Sequence, residues 1–276
     1  MRTLLKMKLV KWLSALLRRR DYLMVKSVAV SQFTDFFSRI RPIKTEHGLV
    51  RVGCAGDGGY LVPDDLDNIQ ACFSPGVAHL AEFELALANR GIRCFLADGS
   101  VDQPPIHHEL VQFEKKHLGI VEDRMRMTLD DWVQRRAPNG GDLILQMDIE
   151  GDEYEVIFAA SRNTLKRFRI LVIEFHRLHR MIEPHFFKLV ELAFAKLGQD
   201  FQVVHLHPNN DRTPLRYRGL EIPPIMEFTF LRKDRVSHQE PTAMFPHPLD
   251  AKNVLHKPDY PLPACWYLER STEKDT

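Results

Sequence analysis

The hydrophobic pattern changes period repeatedly along this chain. Short apolar runs bounded by turn signals predict strands at Ile69–Phe73, Arg93–Leu96, within Gly119–Met127, and at Leu143–Met147. Further runs follow at Arg169–Phe175, Phe201–Leu206 and Ile225–Leu231. Between them, Ala81–Asn89, Tyr154–Asn163 and Pro184–Leu197 read as amphipathic helices. "TLDDWVQRR" opens another, with Thr128 as its N-cap and Asp131 as a capping-box-like partner. Asp21–Arg41 reads as a connecting helix ahead of the series. Strands alternating with helices predict an α/β fold, a mostly parallel sheet covered on both faces. The last two strands lack a helix between them, which predicts an antiparallel hairpin at the sheet edge. The Pro- and His-rich stretch Pro241–Pro263 reads as an ordered loop wrapping the body. Residues 1–41 are thus expected to form N-terminal helices, and residues 42–276 one domain with its wrapping segment.

Charge refines this picture at one end. The net charge of +1 conceals seven basic residues and no acid within the first 20, which leaves −6 for the rest. On a helical wheel Leu5, Leu9, Trp12, Leu13 and Leu16 share a face, with Lys8, Lys11 and Arg18 opposite. Residues 1–20 therefore suit peripheral contact with an anionic membrane surface, and equally packing on the body or a partner chain. No apolar run there approaches the ~20 residues of a spanning helix. Four cysteines without a CxxC pair point to free thiols in a reducing, cytoplasmic setting. A net acidic body without an aromatic-studded basic groove argues against a nucleic-acid partner. Oligomeric state is not legible.

Ligands of open α/β sheets bind beyond the carboxyl ends of the strands, so chemistry is sought there. "SPGVAHLAEFELA" follows the first strand, with Gly76 in its turn and Glu84 on the helix after it. Asp98 and Gly99 follow the second strand, where a carboxylate can accept both hydroxyls of a ribose. The fourth strand runs into "MDIEGDEYE", with Asp148 first and Glu150 in a turn with Gly151. Asp152, Glu153 and Glu155 read as the charged first turn of the next helix, complementing its dipole. The fifth strand ends with Glu174 and His176 on one face, and the sixth with His205 and His207. Such a cluster suits a general base, or a divalent metal with mixed nitrogen and oxygen ligands. Upstream, "GDGGY" predicts a tight turn and a close backbone approach.

The succession "DGGYLVPDDL", "CFSPGVAHLAEFE", "CFLADGS", "TLDDW", "LILQMDIEGDEYEVI" and "ILVIEFHRL" resembles FkbM-type methyltransferases over roughly residues 49–231. The resemblance implies a Rossmann-like class I methyltransferase fold, with seven strands and the last antiparallel. It implies an S-adenosylmethionine-dependent O-methyltransferase acting on a hydroxyl of a sugar, glycan or secondary metabolite. The donor-binding set is then Asp57, Tyr60, Ser74, Gly76, Glu84, Asp98 and Gly99. "SPGVAH" departs from the family pattern, with Pro75 present and one glycine. Asp148 and His176 are the candidate catalytic pair. Asp148, Glu174 and His205 are candidate ligands for a magnesium or manganese ion. Two other classes stay open: a metal-dependent hydrolase using the His/carboxylate cluster, and a non-catalytic, membrane-associated scaffold.

Overall fold

The computed structural model describes residues 2–21 and 24–269, and of residues 2–9 the backbone alone. A seven-stranded sheet forms the centre. Its strands are β1 (Ala71–Pro75), β2 (Arg93–Ala97), β3 (Val111–Glu114), β4 (Leu143–Met147), β5 (Phe168–Phe175), β6 (Phe201–Pro208) and β7 (Met226–Arg232). Their order across the sheet is β6-β7-β5-β4-β1-β2-β3. All pairings are parallel except those of β7, which runs antiparallel to both β5 and β6. This is the Rossmann-like, mostly parallel arrangement that the alternating pattern predicts. The antiparallel strand lies one place in from the edge, because the last hairpin folds back between β5 and β6.

Helices α1 (Arg2–Arg18), α2 (Val30–Arg39), α3 (Glu82–Ala88), α4 (Leu129–Arg136), α5 (Glu153–Ala159), α6 (Arg162–Leu165) and α7 (Pro184–Asp200) complete the frame. The central strands are buried from end to end because both faces of the sheet are covered. On one face Phe175, Phe194 and Phe228 join Phe33, Phe36 and Phe37 of α2 in a single aromatic-rich core. On the other, Ile170, Val172 and Leu231 pack with the hairpin Leu49–Val52/Tyr60–Pro63, tied by a Thr229 hydroxyl donating to the Leu61 carbonyl at 2.7 Å. Thr128 caps α4 as expected, accepting from the Asp131 amide at 3.1 Å and donating to its carboxylate at 2.7 Å.

Three local readings change. The third central strand is Val111–Glu114, and Gly119–Met127 instead touches two short parallel pieces, His117–Gly119 and Arg126–Thr128. The helix expected over Asp21–Arg41 starts only at Val30. Tyr154–Asn163 breaks at Ala160, where Ser161 caps a separate short helix by accepting from the Thr164 amide. In α1, Trp12, Leu13 and Leu16 are exposed, while the wheel positions Leu5, Lys8 and Leu9 lie outside the described side chains. No described helix is long and apolar enough to cross a membrane.

Candidate active site

At the carboxyl ends of β1, β2 and β4 the sheet opens into a cleft of about 710 Å³. Gly76, Ala78, Asp98, Ser100, Asp148 and Arg177 are among its walls. Asp98 sits just beyond β2, where Oδ2 accepts from the Ala78 amide (2.9 Å) and Oδ1 from the Ser100 amide and hydroxyl (2.7 and 2.6 Å). Burial opposes its ionisation, but these donors outweigh it and hold the carboxyl below the usual range. A carboxylate has about four lone-pair sites, so one position on Oδ2 stays open. A second opens if the Ser100 hydroxyl turns away.

Gly76 carries φ +90, and a Cβ there would lie 1.6 Å from the Asp148 carbonyl oxygen. The backbone that approaches this glycine is therefore the protein's own, at the ends of β1 and β4, where the Asp148 amide also donates to the Pro75 carbonyl at 3.3 Å. The same holds for "GDGGY", whose Gly59 packs on the backbone of Cys54.

The other predicted donor contacts fall elsewhere. Ser74 and Glu84 are fully buried beneath the cleft, and Tyr60 is buried too. The Ser74 hydroxyl lies 2.5 Å from Glu84 Oε1 and 2.7 Å from Gln146 Oε1, and Gln146 Nε2 donates to the Tyr60 hydroxyl at 3.2 Å. One serine proton cannot serve two acceptors, so a protonated Glu84 donating to Ser74 completes the chain. Burial pushes the Glu84 carboxyl up to about 7, in keeping with this. Asp57 is exposed on the hairpin turn and Gly99 rests against the His117 ring. Tyr60, Ser74 and Glu84 thus support the cleft floor instead of lining it.

Glu84 yields a stability prediction. Its folded value lies above its unfolded one, so the native state holds the extra proton between about pH 4.5 and 7. Stability is lost as pH rises through that window. Glu84→Gln, neutral at every pH and still a donor, is expected to be more stable than the parent at pH 8. The gain is roughly 3 kcal/mol and disappears near pH 4. Thermal unfolding at the two pH values measures it.

Beside the cleft, the ends of β4 and β5 bring Asp148, Glu174 and His176 together, with their ligand-type atoms within 4.8 Å of one another. His176 Nε2 is 3.8 Å from Asp148 Oδ1 and 3.5 Å from Glu174 Oε1. Burial raises the Asp148 carboxyl to about 7 against the pull of His176, and raises Glu174 well above the carboxylate range, reinforced by Asp148 and Glu227. Burial alone would lower His176, but the Glu153 hydrogen bond and the surrounding carboxylates raise it.

His205 does not join this group. β7 intervenes between β5 and β6, so β6 stands two strand spacings, roughly 10 Å, from β5. In register His205 faces Thr229, whereas His207 is level with Glu227 and Glu174. His205 Nε2 instead meets Asp250 Oδ1 at 2.8 Å, and its ring stacks on Phe245, pinning the wrapping segment.

Glu153 departs from the reading of a solvated first turn. It has 0% exposure, and its Oε1 accepts from the Ile149 and Gly151 amides (3.2 and 3.0 Å) and meets His176 Nδ1 at 3.1 Å. Glu153 thereby caps the turn that holds Glu150 and Gly151. Glu150 and Arg177 both hold left-handed backbone, with φ of 58 and 61, and an Arg177 guanidinium N–H donates to the Glu150 carbonyl at 2.8 Å. Non-glycine residues in that region store strain, here at the two turns that follow β4 and β5.

Residues 69–201, from the approach to β1 through the start of β6, match the family model of the methyltransferase FkbM domain. The chain carries an FkbM-type methyltransferase domain. No curated protein matches the chain. Within this FkbM domain lie the cleft and, beside it, the Asp148–Glu174–His176 group. The hairpin, β7 and the wrapping segment lie outside the matched residues, and with them Asn253, which donates to Glu227 at 2.6 Å. Asn253, Asn209, Glu153 and Arg177 were not singled out in the sequence as site residues. The signal for Glu153 was its place at the start of a helix directly behind a strand-end turn.

Proposed function

We propose that the protein is an S-adenosylmethionine-dependent O-methyltransferase acting on a hydroxyl of a sugar, glycan or secondary metabolite. One observation carries this reading. Asp148 lines the donor cleft and at the same time presents Oδ1, buried and without a partner, to the Glu174–His176 side. A single carboxylate then serves the boundary between a donor and an acceptor.

The cleft suits the donor: its volume is that of a cofactor site, Asp98 keeps an open acceptor position, and Arg177 offers a cation for a carboxylate. When bound, S-adenosylmethionine supplies a methyl group already activated on a sulfonium. The chain's own work is then to hold an acceptor hydroxyl in line and to take its proton. His176 Nε2 faces the acceptor side among these carboxylates, because Nδ1 is held by Glu153. Asp148 takes the proton as the new carbon–oxygen bond forms, and S-adenosylhomocysteine leaves. Such orientation is worth about 7–11 kcal/mol of barrier in favourable cases. A divalent cation such as magnesium or manganese belongs to this reading as an aid to the hydroxyl. Buried, poorly compensated carboxylates are costly to a fold, which disfavours an inert scaffold.

Two measurements test the reading. Isotope-labelled donor, offered with panels of sugars and polyols, is expected to give an O-methylated product by mass spectrometry. Hydrolysis without donor, or absence of donor binding by calorimetry, would instead favour the hydrolase or the scaffold. Asp98→Asn is expected to weaken donor binding roughly ten- to hundredfold, the value of a lost charge-assisted hydrogen bond. Calorimetry with S-adenosylhomocysteine reads that change without an acceptor.

A further inference from the structure

We infer that Asp148, Glu174 and His176 form a preassembled divalent-cation site, with manganese the best match. The inference deepens the methyltransferase reading, on which the cation's catalytic role rests. The ligand atoms are left bare while the opposite atom of two of the three side chains is held. His176 Nδ1 is engaged by the buried Glu153, which leaves Nε2 facing inward. Asn209 Nδ2 donates to Glu174 Oε1 at 3.3 Å, while Glu174 Oε2 is buried with no partner. Asp148 Oδ1 is likewise buried and unpartnered. The Tyr154 hydroxyl donates to the His176 carbonyl at 2.6 Å and fixes that turn. Holding one end of a ligand to aim the other is the usual outer support of a metal centre.

Spacing agrees with a shared cation. Two donors on one ion at ~2.1 Å lie roughly 3–4 Å apart; His176 Nε2 and Asp148 Oδ1 are 3.8 Å apart, and the ligand-type atoms of all three side chains lie within 4.8 Å of one another. Glu174 has 4% exposure and His176 6%, so an unpaired oxygen there has no water to repay its desolvation. Two carboxylates and one imidazole suit manganese, with magnesium second because of the nitrogen ligand. Glu150, exposed, with Oε2 3.5 Å from Nε2, stands at the open side where a further ligand enters. With Oδ1 of Asp148 on the cation, its other oxygen remains to take the acceptor's proton. A hydroxyl bound to the same cation gives up that proton more readily.

The experiment is a titration of the full chain with Mn2+ alone, followed by loss of the free-ion EPR signal, in the presence and absence of S-adenosylhomocysteine. One ion per chain is expected. Asp148→Asn, Glu174→Gln and His176→Asn should each weaken binding at least tenfold, and Asn209→Ala should weaken it roughly 10–100-fold through the outer support. His205→Gln should leave it unchanged. Circular dichroism of each variant separates lost binding from lost fold, and the half-exposed Asp148 provides the mildest ligand change. Absence of saturable binding, or binding untouched by Glu174→Gln and His176→Asn, overturns the site. Methyl transfer that persists in chelator with no Mn2+ bound would sink the cation and leave the methyltransferase intact. Mn2+ binding without any donor binding would support the cation site while removing the methyltransferase reading.

Discussion

Asp148→Asn is expected to lower methyl transfer by roughly 10²–10⁴-fold, the range for loss of a positioned proton acceptor. The asparagine keeps the shape but not the charge or the proton-accepting oxygens. Its effect should appear in turnover and leave donor affinity nearly unchanged, since Asp98 and the other cleft walls are untouched and the side chain keeps its shape. That split separates a role at the acceptor from a role in holding the donor. The matching change in Glu150, whose side chain is 86% exposed, should cost far less. Label transfer at saturating donor measures turnover, and calorimetry measures affinity. Equal losses in both would move Asp148 to the donor side, whereas near-normal turnover would remove it from the chemistry.

Asp148 is marked in the sequence as a strand-end acid, whereas the side chains packed around it are not. A fully apolar strand running into an acid marks a strand end, and parallel sheets place strand ends together. That reasoning needs chain order alone, and it located β1, β2, β4 and β5. It fails where spatial order differs from chain order. β7 inserts between β5 and β6, so His205, adjacent in the series, lies too far away. The hidden role of Glu153 fails for a different reason. An acid in a first helical turn ordinarily faces water and complements the dipole, and nothing local distinguishes one folded back beneath the strand-end turn. Asn209 and Asn253 reach the centre from a strand end and from the wrapping segment. Their partners are 35 and 26 residues away in sequence, beyond any motif spacing.

Gly76→Ala should be the most destabilising small substitution in the domain, and two separable costs explain why. A φ of +90 is a region L residues rarely adopt, at a cost of about 1–2 kcal/mol. A methyl group 1.6 Å from the Asp148 carbonyl adds an overlap that only backbone movement can relieve. Together these are expected to exceed about 4 kcal/mol, or roughly 8–16 °C in unfolding midpoint for a domain of this size. Gly91→Ala isolates the first cost, because Gly91 has a φ of +83 and no neighbour within 4 Å of its Cβ. Gly198→Ala, in open space within α7, removes both and should be neutral or slightly stabilising. If Gly76→Ala costs no more than Gly91→Ala, the packing of the β1 turn on Asp148 is wrong. If it costs the larger amount and the fold survives at low temperature, the displaced backbone is that of Asp148 itself. Donor binding and Mn2+ binding should then fall together, although alanine at position 76 adds no charge and removes no ligand. A variant that preserved one while losing the other would show that cleft and metal centre are independent, and that Asp148 does not join them.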